Sequence, residues 1–195
     1  SALKHRASTH NERHIDNWQQ FYRQQAQSVR HPLLRRFYQA GMVNADTPVS
    51  DLPLLALDFE TTGLNPANNG IVSIGLLPMT YKQLYSSQAR QWLLKPRFAL
   101  SDESVTLHRI THSDIAGAPD LTAVLPELLQ HMAGKVIVLH YRGIERPFLN
   151  AALKARLGEG IHFPVIDTME LEARLHRHKP LSWWQQLRGQ KPASI

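Results

Sequence analysis

Apolar residues recur at two different periods along this chain, and the period changes near residue 50. Ile15, Trp18, Tyr22, Ala26 and Val29 follow helical spacing. Thr9-x-x-Glu12 precedes them in the pattern of a capping box. His31-Pro32 breaks that helix, because a proline disfavours helical backbone at the residue before it. A second short helix is expected from Leu33 to Ala40, stopped by Gly41. Asn44 to Ser50 reads as a linker. Residues 1–50 are therefore expected to form a helical extension whose aromatic stripe packs against the domain that follows, residues 51–195.

In that domain the apolar runs shorten and become strand-like. Leu52 to Asp58 is a nearly continuous apolar run, short enough for a buried strand. Gly70 to Leu77 and Arg90 to Leu94 read as second and third strands, and Val136 to Leu139 and Phe163 to Ile166 as two more. Helices are expected around Asp102 to Leu107, from Leu121 to Met132, and from Glu145 to Leu157. Asp167-x-x-Glu170 has the form of a second capping box and opens a helix to about His176. Three hairpin-spaced strands followed by alternating helices and strands predict an α/β domain with a mixed sheet.

Composition narrows the setting. The chain has 195 residues and no cysteine, so disulfides and thiolate metal sites are excluded, which fits a cytoplasmic protein. No apolar run has the length needed to cross a bilayer, and the basic N-terminus has no apolar core behind it, so neither a membrane span nor a signal peptide is expected. Lys and Arg exceed Asp and Glu by 22 to 16, a net charge of +6, which favours a polyanionic partner such as nucleic acid.

The candidate chemistry sits at the end of the first strand. In Asp58-Phe-Glu60, alternation puts both carboxylates on one face and Phe59 on the other. Two adjacent carboxylates repel unless a cation lies between them. Hard oxygen donors without cysteine or paired histidine favour Mg²⁺ or Mn²⁺ over zinc. A phosphatase of the haloacid-dehalogenase type would place Asp-x-Asp-x-Thr here, with a nucleophilic first Asp. In this chain the second acid is Glu, and no later Asp pair is available.

Asp-Phe-Glu-Thr-Thr-Gly-Leu-Asn-Pro, with Ile71-Val-Ser-Ile-Gly75 after it, resembles the first motif of the DnaQ-like (DEDD) 3′→5′ exonucleases. His140-Tyr-Arg-Gly-Ile-Glu145-Arg-Pro-Phe148-Leu149 resembles the second motif, with Glu145 in place of the usual Asp, Tyr141 in place of Asn and Ile144 in place of Phe. The resemblance covers about residues 52 to 175. It implies a ribonuclease H-like fold with a mixed sheet of about five strands, and hydrolysis of single-stranded DNA or RNA from the 3′ end. It implies two divalent ions, Mg²⁺ or Mn²⁺, held by Asp58, Glu60 and Glu145. Thr61, Thr62, Gly63 and Leu64 would hold the terminal nucleotide. His108, in a segment resembling the family's His-x-Ile-Thr, would touch the nucleotide or serve in packing its loop. A polymerase or another replication or repair protein is the implied protein partner.

The family's third motif, a His or Tyr base followed five residues later by a fourth acid, has no match. Asp167 falls in the family's Asp-Thr segment, and a helix cap accounts for it. His176 and His178 have no Asp five residues on and lie in a basic run from Arg174 to Lys179. The C-terminal helix of the domain is therefore expected to be missing from this chain. The competing reading is a non-catalytic module that keeps the exonuclease fold and binds nucleic acid or a polymerase.

Overall fold

The computed structural model describes residues 15–98, 110 and 112–177. Thr9, Glu12, His108, His178 and the helix expected around Asp102 to Leu107 lie outside the described residues. Five strands form one mixed sheet: β1 (Leu54–Thr61), β2 (Ile71–Met79), β3 (Arg90–Leu93), β4 (Val136–Leu139) and β5 (Val165–Asp167). Their order is β3-β2-β1-β4-β5. The first three strands pair antiparallel, as short loops between consecutive strands allow, and β4 and β5 add in parallel to β1. Parallel neighbours need a crossover. These crossovers are α4 (Leu121–Met132), leading into β4, and α5 (Arg142–Leu157), leading into β5. The remaining helices are α1 (Trp18–Ser28), α2 (Pro32–Gln39), the short α3 (His112–Ala116) and α6 (Thr168–Arg177).

The strand boundaries follow the apolar runs closely, but several element starts differ from the sequence expectation for local reasons. Helix α1 begins at Trp18, because the Asn17 side chain accepts the Gln20 amide and caps it there. Pro32 does end the influence of the first helix, yet it also opens the second. It occupies the first helical position, where the missing N–H costs nothing. Helix α5 starts at Arg142, three residues earlier than the apolar pattern suggested, which moves Glu145 from the helix boundary into the first turn. The last strand runs from Val165 to Asp167, not from Phe163 to Ile166; Phe163 is buried in the core ahead of the strand.

Alternation along β1 divides its side chains between two cores. Leu55, Leu57 and Phe59 enter the larger one, with Leu125 and Leu128 of α4 and Phe148, Leu149 and Leu153 of α5. Leu54 faces the other way, into a smaller cluster with Leu52 and Val136. Asp58 and Glu60 are on this second face, in phase with Leu54 and Ala56. Among the described residues, no helix is long and apolar enough to cross a membrane.

Helices α1 and α2 belong to the larger core. Tyr22, Leu34, Phe37 and Tyr38 are buried there, and their rings meet mostly edge to face. The Tyr38 hydroxyl accepts the His162 amide at 3.0 Å. The Arg30 and His31 amides donate to the Glu159 carboxylate at 3.0 and 2.7 Å. Leu34 is 0% exposed, like Leu55 in the sheet. Leu34→Ala is therefore expected to cost about 2–5 kcal/mol, comparable to Leu55→Ala, measured by urea unfolding. A loss below about 1 kcal/mol would mean that the helices only rest on the domain.

Candidate active site

The site is assembled where β1, β4 and β5 end, because parallel strands bring their C-terminal ends to one edge of the sheet. β1 delivers Asp58, which is exposed, and Glu60, which is half-buried, on one face. Gly75 of β2 is the direct cross-strand partner of Asp58. A larger residue there would stand beside the carboxylate on the same face, whereas glycine leaves that side open. An open groove of about 410 Å³ runs past Asp58, bordered by Ala56, Gly75, Leu77, Arg90 and Gln91. Sequence reasoning passed over Gly75 as part of a motif match; its place opposite Asp58 is visible only once the hairpin register is known.

Just beyond Glu60 the pairing slips. Glu60 pairs with Ser73 but Thr61 pairs with Ile71, so β2 carries one extra residue, Val72. A bulge at a strand end sharpens the twist and turns the chain out of the sheet. The turn that follows is tied internally. The Thr61 hydroxyl donates to the Gly63 carbonyl at 2.7 Å. The Thr62 amide donates to the Gly70 carbonyl, and the Gly70 amide returns a bond to the Thr62 hydroxyl at 3.0 Å. A side chain at Gly63 would meet Asn69 Oδ1 at 2.6 Å, so a larger residue there would have to displace this hydrogen-bonded asparagine. Thr61 and Thr62 are buried, while Leu64 at the tip is 82% exposed.

Glu145 comes from the first turn of α5 and is only 3% exposed. Its Oε2 is buried with no hydrogen-bond partner among the described residues. Such a group costs free energy unless something outside the chain satisfies it. Burial pushes its carboxyl up to about 7; its own backbone N–H opposes the shift, and the charges of Asp58 and Asp167 add to it. Glu145 is thus within electrostatic reach of Asp58, from the other side of the strand ends.

Asp167 stands at the end of β5, opposite Leu139. Its carboxylate caps α6 by accepting the Met169 amide at 3.0 Å, while the Glu170 carboxylate, the other half of the expected capping box, pairs instead with Arg142 and Arg174. It also accepts the amides of Tyr141 and Arg142 at 3.0 and 2.9 Å, from the turn between β4 and α5. Desolvation works against its charge, but these amides and that of Glu170 outweigh it and hold the carboxyl below its ordinary range. Tyr141 lies at φ 75°, a left-handed conformation that is uncommon for a residue with a bulky side chain. Asn, which the resembling motif has at this position, adopts it more readily.

Asp58, Glu60 and Glu145 are all oxygen donors, and the partnerless Glu145 oxygen suits a hard cation. Among the described residues, no three His, Asp or Glu side chains are close enough together to hold a metal as they stand. Any ion would have to draw the carboxylates inward against their repulsion.

An exonuclease family model matches residues 55–191. The chain is 31% identical over 130 residues, 67% of its length, to a PolC-type DNA polymerase III of Thermotoga maritima, and the match spans 9% of that relative. It is 28% identical over 130 residues to a DNA polymerase III subunit epsilon-like protein of Rhodobacter capsulatus, covering 66% of this chain and 18% of the relative. The chain thus spans only a small part of the curated relatives it matches. Among solved structures, exonuclease X in complex with 5′ overhanging duplex DNA superposes with a TM-score of 0.51 at 24% identity, covering 71% of this chain and 74% of that one. The metal-free form of the E. coli exonuclease I complex with single-stranded DNA gives a TM-score of 0.57 at 12% identity, covering 68% and 31%. At these identities the likeness speaks for the fold.

The raised Glu145 carboxyl fixes the sign of a pH dependence. Between its ordinary value of 4.5 and about 7, the folded chain keeps a proton that the unfolded chain has released. In the metal-free protein, stability is therefore expected to fall as pH rises through this interval and to level off above it. Glu145→Gln is expected to flatten that fall and to raise stability by up to about 3 kcal/mol above about pH 8, measured by urea unfolding in chelator. Equal pH profiles in the two proteins would show that Glu145 ionises as an ordinary surface acid.

Proposed function

The chain belongs to the DnaQ-like exonuclease family, and from that premise we propose that it is a metal-dependent 3′→5′ exonuclease. It hydrolyses single-stranded DNA or RNA to 5′-mononucleotides. The observation that carries the metal dependence is the buried Glu145 carboxylate, partnerless at Oε2 among the described residues and within reach of the Asp58 charge. Removing the charge would be the cheaper arrangement for a domain that only binds.

Asp58, Glu60 and Glu145 would hold two ions, Mg²⁺ or Mn²⁺. Two such ions supply a nucleophilic water at neutral pH and offset charge on the leaving oxygen. The chain's own part is placement. The internally bonded turn from Thr61 to Gly70 presents a rigid backbone next to the carboxylates. Leu64 offers an apolar side chain to the terminal base, which explains an 82% exposed leucine at the tip of an otherwise tied turn. The groove beside Asp58, with Arg90 on its rim, gives an extended strand a path across the sheet face. The polymerase relatives make a replication or repair setting, in the cytoplasm and with a polymerase as partner, the natural context.

The second reading, a non-catalytic module that binds nucleic acid or a polymerase, is favoured by the lack of a ready-made three-residue metal cluster among the described residues. The two separate on activity. Because the third motif's base and fourth acid have no match in this sequence, release of 5′-mononucleotides from a 3′ end with Mn²⁺ is expected to be weak, and Asp58→Ala is expected to abolish it without loss of fold. Metal-independent nucleic-acid binding with no release would favour the module. Leu64→Ala separates binding from chemistry. Stability should change by no more than about 0.5 kcal/mol, as expected for an exposed site. KM should rise several-fold with kcat less affected, read from steady-state kinetics. An unchanged KM would remove Leu64 from the substrate site.

A further inference from the structure

The helix that carries Glu145 is anchored from outside itself. Tyr141 and Arg142 are the two residues that turn the chain from β4 into α5, and both amides point at the same carboxylate, that of Asp167. The amides at a helix start lack partners within the helix. One acid supplied by a neighbouring strand satisfies two of them here. Tyr141 needs the help most, since its left-handed backbone is unfavourable for a bulky residue and its ring lies over Gly143, where even a methyl group would collide with it. Glu145 sits one turn further on, buried, with its free oxygen.

We propose that Asp167 is a positioning residue for the proposed metal site: by clamping the Tyr141 and Arg142 amides it fixes the first turn of α5 and so delivers Glu145 to Asp58. This rests on the exonuclease reading for what Glu145 does, but the clamp itself does not. A helix cap alone would engage only the start of α6, through Met169. Asp167 does both, because β5 pairs with β4 in a register that sets it against Leu139, just before the turn. Its side chain is buried, and its oxygens serve both helix starts: Oδ1 accepts the Tyr141 and Met169 amides, and Oδ2 accepts that of Arg142. Outer groups of this kind commonly change metal affinity or activity by 10- to 100-fold when removed.

The informative variant is Asp167→Ser, since serine still caps α6 but is too short and has too few acceptors to hold both distant amides. The control is Thr168→Val, which breaks a neighbouring tie to the Leu139 carbonyl and to His140 without touching α5. In the full chain, Asp167→Ser is expected to speed hydrogen exchange of the Tyr141 and Arg142 amides about tenfold or more. Mn²⁺ affinity, measured by calorimetry without substrate, is expected to fall about tenfold or more. Thr168→Val should change neither. If Asp167→Ser does not fold, Asp167→Asn, which keeps one acceptor oxygen, should shift both readings in the same direction. Faster exchange with unaltered Mn²⁺ affinity would reduce Asp167 to a structural cap, and unaltered exchange would remove the clamp. Mn²⁺ bound by the wild type without mononucleotide release would count against the exonuclease reading and leave the clamp standing.

Discussion

Acidic side chains brought to one edge of a sheet repel one another, and this chain brings several there. Asp58 and Glu60 arrive on alternate positions of β1, Glu145 from the first turn of α5, and Asp167 from the end of β5. Asp167 is neutralised locally by backbone amides. Glu145 is not. Burial and its negative neighbours raise its carboxyl to about 7, and one oxygen has no partner among the described residues. A site under this strain is suited to take up cations, and the energy that resists its assembly in the free chain is released when they bind.

The rest of the architecture can be read as the frame that keeps these groups in place. The large core lies on the opposite face of β1, so Leu55, Leu57 and Phe59 hold the strand rigid while Asp58 and Glu60 face outward. α5 is locked by Phe148, Leu149 and Leu153. The first two helices contribute to the same core and tie to the loop after α5 through Glu159 and the His162 backbone. They lie outside the stretch the family model matches, which begins at residue 55. Their contribution is to the packing that backs the third carboxylate's helix.

Much of the fold was legible in the sequence because burial writes itself in short apolar runs. The strand Val136–Leu139 and the helix Leu121–Met132 have the bounds that pattern alone gave. The Asp58–Glu60 pair was legible for the same reason, since alternation decides which side chains share a face. What was hidden depended on contacts between distant segments. Nothing local shows that Asp167 would reach back 25 residues to the Arg142 amide. Nothing local shows that Gly75 would stand opposite Asp58, until the hairpin register is known. The start of α5 was misplaced because Arg142 and Gly143 lack apolar side chains, and an external carboxylate secures that end. His108, which the resemblance puts near the nucleotide, lies outside the described residues.

The account stands on the claim that these carboxylates form a cation site. The direct measurement is anomalous diffraction from crystals of this chain soaked in Mn²⁺. The prediction is density for two ions held by Asp58, Glu60 and Glu145, with the Glu145 oxygen now engaged. Crystals that take up Mn²⁺ elsewhere, or that leave Glu145 buried and protonated beside an empty Asp58, would contradict it.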